Sequence, residues 1–155
     1  MRALLLLSAV VVFATTSAQA ENFTFTGTGT QVAAVGGIGP QGRPAGGGYS
    51  KIATEITWAS GKKTKSTGEC IGTTAPPTSG LTNQLVCNSK DEDGSTSFAW
   101  IGCTSTNDKG TEGECWGKVT YTSGANKGRS SVIAFRSKQN ADGKGGTSAG
   151  TGSMN

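Results

Sequence analysis

The residues best equipped for covalent chemistry are four cysteines, at positions 70, 87, 103 and 115. The chain has no histidine, which removes the commonest general base and the commonest metal ligand together. A thiolate nucleophile has no imidazole to activate it, and the absence of a short C-x-x-C pair speaks against zinc. In an exported chain an even cysteine count reads as disulfides. The midpoint of Cys70 and Cys87 falls inside the turn sequence APPTSG (75–80), and that of Cys103 and Cys115 inside NDKG (107–110). The midpoint of Cys87 and Cys103 falls at the edge of DEDGS (91–95). Symmetric hairpins then place all four cysteines in one row across four neighbouring strands. Adjacent strands lie about 4.8 Å apart, within disulfide reach, and next-but-one strands do not. The expected bridges are Cys70–Cys87 and Cys103–Cys115, with no metal and no cofactor.

Other candidate chemistry is weaker. Glu55, Glu69, Glu112 and Glu114 have no spacing that forces two of them together, so surface carboxylates are expected. Asp91-Glu92-Asp93-Gly94 opens like a calcium loop, but the twelfth position, where such a loop needs Glu, is Gly102. It reads as an acidic hairpin turn. Gly37 to Gly42 spells G-x-G-x-x-G, yet Arg43-Pro44 and more glycine follow, so no helix opens there and no dinucleotide site is expected. The one basic cluster, Lys62-Lys63-Thr64-Lys65, is a solvated turn and strand start, too sparse for nucleic acid.

The elements that must position these residues follow from pattern. Residues 1–20 carry Arg2, an apolar run from Ala3 to Ala14 and the small-x-small end Ala18-Gln19-Ala20. That is the form of a secretory signal peptide, too short for a comfortable membrane span, and it implies a periplasmic or extracellular protein. The remaining 21–155 is one domain by length. Without Arg2 it holds 13 basic and 10 acidic residues, mildly basic. The 25 glycines of the 155 residues are far above the usual level of about 7% and suit tight turns and narrow strands rather than helices. Residues 35–48 are Gly- and Pro-rich and read as a loop. Strand patterns cover 23–30, 48–60, 63–73, 81–90, 97–106, 114–123 and 130–138, with a last strand near the C-terminus. Seven or eight short strands with turn signals between them predict an all-β, up-and-down antiparallel barrel.

On the row geometry, the cysteine face also carries Gly68, Ser89, Gly117, Leu85, Ile101, Val119 and Tyr121. The opposite face carries Ile71, Val86, Phe98, Trp100 and Trp116. Both are partly apolar. The small-residue face fits a narrow interior filled by two disulfides, and the alternative puts the tryptophans in the core. The first is favoured.

The stretch from Tyr121 to Gly128, followed by SSVIAF, resembles the glycine hairpin of allene oxide cyclase-like and dirigent-like β-barrels. Gly150-Thr-Gly152 resembles the last strand of small exported bacterial proteins with that barrel. So does the succession Gly68-Glu69-Cys70, Pro76-Pro77, Cys87, Cys103 and Cys115. The usual turn aromatic is missing, and the chain ends in Ser-Met-Asn where an aromatic is expected. The resemblance implies a barrel and a trimer, and no catalytic residue carries over from it.

Three functions follow in order of preference. The first is a non-enzymatic binder of a small apolar or aromatic molecule, with Trp58, Trp100, Trp116 and Tyr121 as contacts. The second is a structural or interaction protein with a filled barrel and an aromatic surface for oligomers. The third is a cyclase- or isomerase-type enzyme using a carboxylate such as Glu55. A cavity holding a carboxylate of raised pKa would favour the third.

Overall fold

The computed structural model describes residues 20–39, 42 and 44–155. They form eight strands: β1 (Glu21–Ile38), β2 (Pro44–Trp58), β3 (Lys63–Thr74), β4 (Asn83–Asp91), β5 (Thr96–Ser105), β6 (Glu112–Tyr121), β7 (Ser130–Gln139) and β8 (Gly145–Met154). Each strand pairs antiparallel with the next, and β8 returns to β1, so the sheet closes as an up-and-down barrel. Closure removes the exposed edges that eight separate strands would otherwise present. The signal-peptide expectation falls on residues 1–19, outside the described residues, and on Ala20.

Turn chemistry matches the sequence. Gly94 (φ 87°) and Gly110 (φ 68°) close their hairpins in the left-handed region, where a side chain is strained. Asp93 accepts a hydrogen bond from the Ser95 backbone N–H at 2.8 Å and fixes the β4–β5 turn.

The expected loop over 35–48 is corrected at its two flanks, 35–38 and 44–48; its positions 40, 41 and 43 lie outside the described residues. Val35–Ile38 continues β1 and pairs with Pro44–Gly47 of β2. Glycine weakens a strand, but here it extends a ladder already in register. Past Thr30, β1 has left β8, and before Gly47, β2 has not yet met β3. The two form a ribbon arm beyond the barrel, reached through an irregularity between Gln31 and Ala33. Val35 and Ile38 on this arm are largely exposed.

Both disulfides are as expected, Cys70–Cys87 across β3–β4 and Cys103–Cys115 across β5–β6. The single row of four cysteines is not. Cys87 lies opposite Ala99, and Cys103 lies opposite Asn83. The β4–β5 hairpin turns between Asp91 and Ser95, earlier than symmetry about the cysteines requires. The pairing survives because each bridge sits within its own hairpin. The offset puts the second bridge farther along the barrel.

The small-residue face is the interior. Cys70, Cys87, Cys103 and Cys115 are buried, while Ile71, Trp100 and Trp116 stand on the outer wall. Glycine in β8 makes this possible. A Cβ on Gly152 would strike the Phe23 ring, and one on Gly150 would strike Phe135. The Phe23 ring of β1 and the Cβ of Phe135 in β7 lie where β8 has no side chains.

Candidate functional site

The barrel is a cup. Its closed end is a cluster of Phe23, Trp58, Tyr121 and Met154, none more than 8% exposed, backed by Phe25, Ile56 and Ile133. Phe23 and Trp58 rings meet at 4.9 Å between centroids, a favourable tilted contact. The Trp58 indole N–H donates to Thr64 Oγ1 at 3.0 Å, so its polar edge is satisfied within the floor. At the other end the strands stop short of any such plug. A cavity of about 610 Å³ runs from this mouth to the floor, within the range of small-molecule sites, roughly 300–1,000 Å³.

The register shows how the walls are sorted, because interior positions line up in rows that wind round the barrel. One row runs Gly72, Leu85, Ile101, Gly117, Ile133, Gly152, Phe23 and Trp58. The next runs Asn83, Cys103, Cys115, Phe135, Gly150, Phe25 and Ile56. Apart from Asn83 at the mouth, these rows, with both disulfides, Ala99 and Val119, make an apolar wall. A third row differs throughout. It reads Ser105, Gly113, Ser137, Ser148, Gly27, Thr54, Ser66 and Asp91, one full circuit from the mouth on β5 to the floor on β4. Every residue of this row lines the cavity.

Burial raises the proton affinity of Asp91 above that of an ordinary carboxylate, and the nearby charges of Asp93 and Glu92 add to this. A hydrogen bond with Ser66 and the charge of Lys62 oppose it. Burial, and then the charges of Asp91 and Asp93, push Tyr121 up to about 12. The tyrosine therefore stays protonated at any physiological pH. Asp93, outside the cup, is held low chiefly by the Ser95 backbone N–H.

The four aromatic residues picked from sequence do not form one site. Tyr121 lines the cavity. Trp58 lies behind Phe23 and seals the floor. Trp100 (61% exposed) and Trp116 (50% exposed) point away from the cavity, Trp100 edge-on to Phe98. Glu55 is also outside, paired with Lys63 at 3.4 Å. It joins the pair Arg136–Glu114 on the outer wall, while Lys138–Glu112 sits at the rim of the mouth; such exposed pairs add little stability. No group of three or more metal-ligating residues forms among the described residues. No described helix is long and apolar enough to cross a membrane.

The sequence reading missed Phe23, Phe25, Ile133 and Phe135 as lining, because their place depends on the closure of β8 on β1. It also missed Asp91, read as part of an exposed turn. Alternation along β4 carries the signal: Leu85, Cys87, Ser89 and Asp91 share one face. No protein-family model and no curated protein sequence matches the chain. The chain is a small disulfide-bonded β-barrel, and its two bridges suit an oxidising, extracellular or periplasmic setting.

Proposed function

We propose that the protein is a non-enzymatic carrier or receptor for a small, largely apolar molecule held in the cup. The observation that carries this reading is the cavity itself: a volume of ligand size, plugged at one end and open at the other, with a belt of Phe, Ile, Leu, Val and both disulfides set among glycine, serine and threonine. The contacts it expects are Phe25, Ile52, Leu85, Ile101, Phe135 and Tyr121, in place of the outward Trp100 and Trp116. Native mass spectrometry of the unreduced protein with N-phenyl-1-naphthylamine tests it. A one-to-one adduct per chain is expected, and its absence with this and other apolar probes would contradict the reading.

Asp91 favours a second reading, in which this carboxylate takes a proton from a bound substrate while the neutral Tyr121 hydroxyl supports the developing charge. A ligand recovered unchanged after long incubation supports the carrier. Conversion that is lost in Asp91→Asn supports the enzyme. The outer stripe of Ile71, Trp100, Trp116 and Val132, all half or more exposed, supports self-association. The trimer implied by the family resemblance is the form this reading expects, and the same mass measurement counts the subunits.

A further inference from the structure

The polar part of the cup is not spread evenly. Under β3 to β6 the floor side is built from Ser66, Ser89, Asp91, Ser97 and Tyr121, all lining the cavity. Ser66 is the register partner of Asp91, Ser89 of Ser97, and Ser97 of Tyr121. Above them on the same strands stand Cys70, Leu85, Cys87, Ile101 and Val119, with no polar side chain among them. One glycine makes way for a hydroxyl of this patch. A Cβ on Gly68 would sit 2.6 Å from Ser89 Oγ, so the glycine leaves the space into which that hydroxyl leans. The Ser66 hydroxyl lies 3.3 Å from the Lys90 carbonyl and within hydrogen-bond reach of Asp91, so it can donate to either. Ser131, 2% exposed on the same floor, keeps a hydroxyl with no hydrogen-bond partner among the described residues.

Asp91 is the one charged side chain lining this patch among the described residues; Lys62 and Arg129, which do not line the cavity, act on Asp91 and Tyr121 from outside it. Glu112 and Lys138 also border the cavity, but at its mouth and paired to each other at 3.3 Å. Asp91 makes no ion pair among the described residues. A carboxylate and a set of hydroxyls in a cup of apolar walls accept hydrogen bonds from a donor and repel an anion.

We infer that the cup takes an amphipathic ligand head-first, a primary or secondary amine seated at Asp91 among Ser66, Ser89, Ser97 and Tyr121, with its apolar body against the disulfides, Leu85 and Ile101. This rests on the carrier reading above. Its test is displacement of N-phenyl-1-naphthylamine, at neutral pH and below micelle formation, by three probes of equal chain length: decylamine, decanol and decanoate. Decylamine is expected to bind about tenfold or more tighter than decanol, with decanoate weakest. Asp91→Asn is expected to remove the preference, so that decylamine binds no tighter than decanol. If decanol or decanoate binds the unmodified protein as tightly as decylamine, the head-group inference falls while the carrier reading stands, whatever the variant does. Persistence of the amine preference in a folded Asp91→Asn protein overturns it equally. If neither the fluorescent probe nor any of the three binds, the carrier reading falls with it.

Discussion

The two ends of the barrel are made from the same eight strands and behave oppositely. At the floor the strand ends supply Phe23, Trp58, Tyr121 and Met154, which meet across the barrel axis and exclude solvent. At the mouth the same strands supply Gly47, Gly48, Gly113 and Gly146, which line an opening and fill nothing. Beyond the mouth only β1 and β2 continue, as a ribbon paired with itself. A barrel of eight strands has an interior just wide enough for side chains to fill. Whether it is a packed core or a container is decided by where the large side chains fall. Here the fully buried ones are concentrated at one end, so a packed floor closes the barrel and the ligand space lies against it.

The sharpest way to break that division is to empty the floor. Trp58→Ala should cost about 3–5 kcal/mol in urea unfolding, against under about 0.5 kcal/mol for an exposed mouth change such as Thr73→Ala. Equal losses would mean that the floor is not the core. Next in size is the cross-strand bridge Cys103–Cys115, whose cysteines are 12 residues apart. Replacing both by alanine should cost about 3 kcal/mol, mostly through the unfolded chain, and the cup should still form because Cys70–Cys87 and the ladder remain.

Gly152→Val tests the room that β8 leaves for Phe23. The new side chain meets the ring and should cost about 1–3 kcal/mol, whereas Thr151→Val, facing outward on the same strand, should be close to neutral. The smallest effect is electrostatic. Asp91 has a raised pKa in the fold, so its ionised form is penalised there more than in the unfolded chain. Its contribution to stability is present below the unfolded value and is lost as the pH rises through the folded value. Asp91→Asn should therefore raise Tm slightly at neutral pH and leave it unchanged below about pH 3, where both states are protonated. A lower Tm at neutral pH would show that Asp91 is held by interactions stronger than its burial cost.

Local chemistry made much of this legible. Turn glycines, alternation and the APPTSG and NDKG hairpins gave the strand count, the meander and both disulfides. What failed needed information from distant strands. The Gly-rich 35–48 looked like a loop because propensity speaks of single residues, while pairing of β1 with β2 is a property of two. Placing all four cysteines in a row assumed that the β4–β5 turn was symmetric about them, and the Asp93–Ser95 turn sits earlier. The tryptophans misled for a related reason. Trp58 and Trp100 carry the same side chain, and only the register tells that one closes the floor and the other faces out. The row from Ser105 to Asp91 is invisible without closure, since its eight members come from eight strands.

One measurement bears most directly on the cup as a container. It is the binding of N-phenyl-1-naphthylamine, followed by fluorescence, to three folded proteins: the native chain, Leu85→Trp and Trp100→Ser. Leu85 faces the cavity and Trp100 the outside. The account predicts that Leu85→Trp fills the space and abolishes binding, while Trp100→Ser binds as the native chain does. Binding that survives Leu85→Trp and disappears in Trp100→Ser would place the ligand on the outer stripe and contradict the account.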